Sequence, residues 1–130
     1  MPQKKQSNRD LGHYSDWHRF PNLPRRCALV DADFFEMRNI DGKLIPIACF
    51  EVMEIGALFI GQAQRMFPLW EAKVALYLYL KEQLHIPIFI VRHTSDCYLF
   101  AVSRLTDTGE ETEQTVMDEM EYKTFLEQLQ

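Results

Sequence analysis

The sequence predicts a single α/β domain of the α+β kind, with a mixed central sheet flanked by helices. Three observations carry that expectation. Short apolar runs rich in β-formers alternate with one long stretch of helical period. The first two runs are joined by an Asp-Gly turn, too short a connection for a helical crossover. The chain has 130 residues, 47% of them apolar, which can close one core but leaves no room for two domains of usual size.

The elements follow in order. Residues 1–12 are basic and polar and are expected to be a disordered N-terminus. The segment Phe20-Pro21-Asn22-Leu23-Pro24 holds two prolines, which exclude a regular helix and predict an extended connection. Cys27–Phe35 is short and β-rich and predicts a strand. A turn over Asn39-Ile40-Asp41-Gly42-Lys43 and a second strand over Leu44–Val52 complete a hairpin. From Glu54 to Phe67 the apolar residues permit a helix that Gly56 and Gly61 weaken.

Pro68 fits the first position of a helix, where its missing N–H costs nothing, and Leu69–His85 is the strongest helical segment. Its apolar residues Trp70, Val74, Tyr77, Leu78 and Leu84 recur at roughly helical spacing. Strands over Ile86–Arg92 and Tyr98–Arg104 flank the turn-forming Thr94-Ser95-Asp96. After an acidic linker, Met117, Met120, Phe125, Leu126 and Leu129 share one face of a closing helix, so residues 106–130 read as linker plus helix.

Several function classes are excluded. No apolar run approaches the roughly 20 residues that cross a bilayer, and the opening MPQKKQSNRD lacks the apolar stretch of a secretory signal. A cytoplasmic protein without membrane contact is expected. Cys27, Cys49 and Cys97 are odd in number and far apart, which predicts reduced core thiols rather than disulfides or a zinc pair. No Gly-x-Ser-x-Gly, phosphate-cradling glycine loop or HExxH occurs. His13 and His18 are five apart, not the spacing of a helical zinc pair, and His85 and His93 read as structural.

The net charge of −5 gives no global attraction to nucleic acid, but the charge is polarised. Lys4, Lys5, Arg9, Arg19, Arg25 and Arg26 crowd the region before Cys27, and from Thr106 onward eight acids face one Lys123. The basic end can meet phosphate; equally, both ends can be solvated faces. The cluster His13, Tyr14, Trp17, His18 and Arg19 either stacks on bases and holds phosphate or covers the sheet as a turn of helix.

The chemistry concentrates in Asp31, Asp33 and Glu51. On a strand Asp31 and Asp33 point to one side, and so do Glu51 and Met53 on the next. Unpaired buried carboxylates are costly, so acids on apolar strands need a partner. Paired strands can bring Asp33 and Glu51 together in the arrangement that Mg²⁺ accepts from one or two carboxylates, water and phosphate oxygens completing its six ligands. The alternatives are strand ends open to water, or pairing with Arg38 and Arg65.

The runs Tyr14-Ser15-Asp16-Trp17-His18-Arg19, Asp31-Ala32-Asp33-Phe34-Phe35-Glu36 and Ile45-Pro46-Ile47-Ala48-Cys49-Phe50-Glu51-Val52-Met53 resemble small members of the PD-(D/E)XK, restriction-endonuclease-like superfamily. The resemblance extends through Ile86–Val91 and Glu121–Leu126. It implies a restriction-endonuclease-like core over residues 13–105, Mg²⁺ or Mn²⁺ as cofactor, and metal-dependent nuclease activity on nucleic-acid phosphodiesters, DNA favoured. Carried over residue by residue, it makes Asp31 or Asp33 with Glu51 the metal ligands and Glu36 a supporting acid, while Tyr14, Trp17, His18 and Arg19 are read as substrate contacts from their own aromatic and donor chemistry.

One position departs from the pattern. Where the superfamily has a lysine two residues after the second acid, this chain has Met53, which carries no charge and positions no water. Lys73 on the following helix, Lys43 and Arg65 are the candidate replacements, and Lys73 is the favoured catalytic lysine beside Asp33 and Glu51. The competing reading is a catalytically degenerate nucleic-acid-binding or protein-interaction module of the same fold. A homodimer is open under either.

Overall fold

A computed structural model describes residues 17, 21, 22 and 30–129. The chain divides into two compact units, Met1–Asp31 and Ala32–Gln130. In the first, the Trp17 carbonyl accepts a hydrogen bond from Asn22 Nδ2 at 2.9 Å, and Pro21-Asn22 form a turn where an extended connection was expected. The N-terminal stretch 1–12, Tyr14, His18, Arg19 and the first residues of the expected strand, Cys27–Leu29, lie outside the described residues.

In the second unit β1 (Phe34–Ile40) and β2 (Lys43–Ile55) form the expected antiparallel hairpin. The turn is confined to Asp41 and Gly42, at φ 51° and 82°, the left-handed pair that matches the twist of a two-residue hairpin. Asn39 Oδ1 accepts the Gly42 N–H at 3.1 Å. A 3₁₀ helix (Ala57–Gln62), the single turn α1 (Ala63–Met66) and the long α2 (Glu71–Leu84) then carry the chain across to β3 (Ile88–Thr94), which pairs parallel with β2. A parallel pair needs such a crossover, and this one places α2 over the sheet. β4 (Leu99–Arg104), β5 (Thr115–Asp118) and α3 (Glu119–Gln128) complete the unit.

The result is the mixed sheet that the sequence predicts, five strands in the order β1-β2-β3-β4-β5, with three α-helices among the described residues. Strand alternation divides the core between its two faces. On one, Cys49, Ile88, Ile90 and Leu105 pack with Tyr77, Val74 and Leu78 of α2. On the other, Ala48, Phe50, Val91, Phe100 and Val102 meet Tyr122, Phe125 and Leu126 of α3, with Phe100 and Tyr122 stacked at 4.1 Å. Each fully buried Ile or Phe contributes roughly 1.5 to 3 kcal/mol.

Several expectations are corrected. The first strand begins at Phe34, so Asp31 and Asp33 precede it and strand alternation does not set their directions. Pro68 lies before the capping residue Trp70 rather than at the first helical position. Residues 115–118 are a strand, because β4 offers its open edge to them, and the closing helix starts only at Glu119. Its start is set by a capping box in which Asp118 and Glu121 bond each other's backbone N–H groups. Cys97 is exposed in the β3–β4 turn at φ 60°, whereas Cys49 is a buried free thiol as expected. No helix among the described residues is long and apolar enough to cross a membrane.

Candidate functional site

β2 is hydrogen-bonded on both sides, by β1 and by β3, so its side chains at Cys49, Glu51 and Met53 are directed onto the face covered by α2. Glu51 is thereby a carboxylate in an apolar layer, its side chain 9% exposed. Asp33 is held beside it by the backbone: its Oδ2 accepts the Val52 N–H at 3.0 Å. From α2, Lys73 reaches down to both acids, with Nζ 3.1 Å from Glu51 Oε2 and 3.7 Å from Asp33 Oδ1. One turn further along the helix, the buried Tyr77 donates its hydroxyl proton to the same Glu51 oxygen.

Asp33, Glu51 and Lys73 therefore converge. Met53 is half-buried and packs into the core beneath α2, so the cation at this site comes from the helix facing the strand. Lys43 and Arg65 are exposed and do not replace it. The other buried cation on this face, Arg92, is committed elsewhere: its guanidinium makes paired bonds of 2.7 and 2.9 Å to the Glu111 carboxylate.

Glu36 is not brought to this cluster. Glu36 is turned to Arg38, 2.6 Å away, whose guanidinium also donates to the Leu126 carbonyl of α3. That is the opposite face of the sheet, so Glu36 is not placed to support the two acids, and Arg38 is not their partner. Asp31, the last residue of the first unit, and Trp17 are both exposed. The residue missed by sequence reasoning is Tyr77, which helical spacing marks only as core.

Burial pushes the Glu51 carboxyl above the usual range. Hydrogen bonds from Tyr77 and Lys73 oppose that rise, and the neighbouring Asp33 charge adds to it. Burial, followed by the Glu51 carboxylate, drives the Tyr77 phenol far up, so it remains a donor at any working pH. The Cys49 thiol is pushed up to about 11 by the same two causes and is inert as a nucleophile.

Asp33 and Glu51 are two hard oxygen donors whose charge is met in the structure by the Lys73 ammonium. Two such carboxylates are a donor set that could hold Mg²⁺ or Mn²⁺ if water and phosphate oxygens completed the ligand shell. Among the described residues no group of three or more His, Cys, Asp or Glu side chains is assembled to hold a metal by itself. Comparison with protein family models, with characterised proteins and with solved structures finds no match to this chain.

Proposed function

We propose that the chain is a metal-dependent nuclease acting on nucleic-acid phosphodiesters, DNA favoured, with Asp33 and Glu51 as ligands of Mg²⁺ or Mn²⁺ and Lys73 as the catalytic cation. One observation carries the reading: two acids and a lysine from three separate segments meet within 4 Å, although the strand position that the superfamily gives to lysine holds Met53. A divalent ion bound there supplies charge neutralisation on the phosphate and a more acidic water. Lys73 adds a fixed positive charge next to where negative charge develops on the phosphate. Asp33 and Glu51 hold their orientation through the Val52 N–H and the Tyr77 hydroxyl.

Plasmid and single-stranded DNA incubated with the full chain and Mg²⁺ or Mn²⁺ should be cut. Asp33→Ala and Glu51→Ala should each lower the rate by about 100-fold or more, the scale on which such charge-stabilising groups act. Residual cleavage equal to wild type in both variants rejects the site. Met53 favours a second reading, a nucleic-acid-binding module without catalysis. DNA binding without cleavage, together with cleavage gained in Met53→Lys, selects that module instead.

A further inference from the structure

Tyr77 is completely buried among Cys49, Ile88, Ile90 and Leu105, where a phenylalanine would pack as well. A phenol hydroxyl in such a layer is costly unless it is hydrogen-bonded. Its partners are the site itself. The O–H donates to Glu51 Oε2, and the phenol oxygen in turn accepts the Asp33 backbone N–H at 3.5 Å. The ring lies 6.0 Å from Lys73 Nζ, within cation–π range. Tyr77 thus bonds Glu51 and the Asp33 backbone and presents its ring toward Lys73.

We infer that Tyr77 is a positioning residue that orients the Glu51 carboxylate, and holds the Asp33 backbone beside it, for a divalent cation. The inference rests on the metal-site reading above. A glutamate side chain has three rotatable bonds, and a carboxylate free to turn pays ordering entropy whenever it takes up a ligand. With Oε2 anchored by Tyr77 and Lys73, the carboxylate is already fixed. Asp33 is anchored in the same way, by the Val52 N–H on its side chain and by Tyr77 at its own backbone. Outer partners of this kind typically govern metal affinity by 10 to 100-fold.

The experiment is a Mn²⁺ titration, by calorimetry and by the paramagnetic resonance of free Mn²⁺, on the full chain as wild type, Tyr77→Phe, Tyr79→Phe and Glu51→Gln. Circular dichroism and the melting temperature are followed alongside. The expected result is binding by wild type, a loss of about 10 to 100-fold in Tyr77→Phe with its secondary structure retained, and no change in Tyr79→Phe, whose ring is exposed. Wild-type affinity in Tyr77→Phe, with binding lost in Glu51→Gln, overturns the inference and leaves the metal site standing. Absence of Mn²⁺ binding by the wild type overturns the metal site and the inference with it. Should Tyr77→Phe fail to fold, Tyr77→4-aminophenylalanine keeps a donor at the same place: affinity within threefold of wild type supports the role, and a loss greater than about tenfold refutes it.

Discussion

Replacing Lys73 by methionine keeps an unbranched apolar stem and removes the ammonium 3.1 Å from Glu51 and 3.7 Å from Asp33. The side chains of Lys73, Glu51 and Asp33 are only 14%, 9% and 22% exposed, so water screens them weakly. At an effective dielectric of about 20 each contact is a gross attraction of roughly 4 kcal/mol, most of it offset by the desolvation of the charges. Removing one partner leaves that desolvation uncompensated, so Lys73→Met should lose about 3 kcal/mol at neutral pH. For a domain near this size the melting temperature should fall by roughly 12 °C or more. The pH dependence is the sharper readout. An acid whose folded pKa is raised, as burial raises that of Glu51, binds more protons in the native state than in the unfolded state. Its contribution to stability is therefore largest below the ordinary glutamate value of about 4.3 and declines as pH climbs through the folded value. Without Lys73 the rise is greater, so the deficit of the variant should be small near pH 4 and widen toward pH 7. Urea unfolding followed by circular dichroism at several pH values measures it. A deficit under about 1 kcal/mol at neutral pH, or one that does not vary with pH, refutes the reasoning.

Glu111→Gln strands the Arg92 guanidinium, whose side chain has no exposed surface, and should cost about 3 to 5 kcal/mol in urea unfolding at neutral pH. Burial disfavours the charged Glu111, but hydrogen bonds from Arg92, Ser103 and Gln64 outweigh it and hold the carboxyl below the usual range. The stabilisation is thus present above about pH 4.3 and lost as pH falls, so the variant should also flatten the acid limb of the stability profile; an unaltered limb contradicts this. Gly109 sits at φ +89°, and a Cβ there would lie 3.2 Å from Val74 Cγ1 and 3.3 Å from Leu78 Cδ1 on α2. Gly109→Ala should cost about 1 to 2 kcal/mol, read as a lower melting temperature, and an unchanged melt would show that the loop absorbs the methyl freely.

What the sequence made legible was set by local period and turn chemistry. Asp41-Gly42 placed the hairpin because two left-handed residues in succession are costly for most others. Glu51 stood out because a carboxylate in an apolar strand needs a partner, and Lys73 because it lies on the helix that follows β2 in the chain. The start of β1 was hidden: Cys27–Phe35 reads as one β-rich run, and only pairing with β2 shows that the ladder begins at Phe34. β5 was hidden too, since three of its four residues are exposed and their ordering comes from the edge of β4. The Asp118-x-x-Glu121 capping box was readable and would have put the helix start in its place. Tyr77 could not be found locally, because its hydroxyl partner is 26 residues away in the chain.

A lysine carried by a helix is only as well placed as the helix. A lysine on β2 at the place of Met53 would be positioned by the sheet's own hydrogen bonds. Lys73 depends instead on how α2 is seated, and the structure secures α2 from both ends. Before it, Arg92 on β3 donates through Nε to the Phe67 carbonyl at 2.9 Å, fixing the segment that leads into the helix. Toward its end, Lys81 pairs with Asp107, and Gly109 in the same loop permits close approach to Val74 and Leu78. Arg92 is the Cα partner of Met53 in the β2–β3 register, so Met53 lies beside the cation that locks the crossover. The buried Arg92–Glu111 pair and the glycine loop are thus coupled to the site without touching it. Glu111→Gln should accordingly weaken Mn²⁺ binding by less than Tyr77→Phe does while costing more stability, because it loosens the helix and leaves both carboxylates in place.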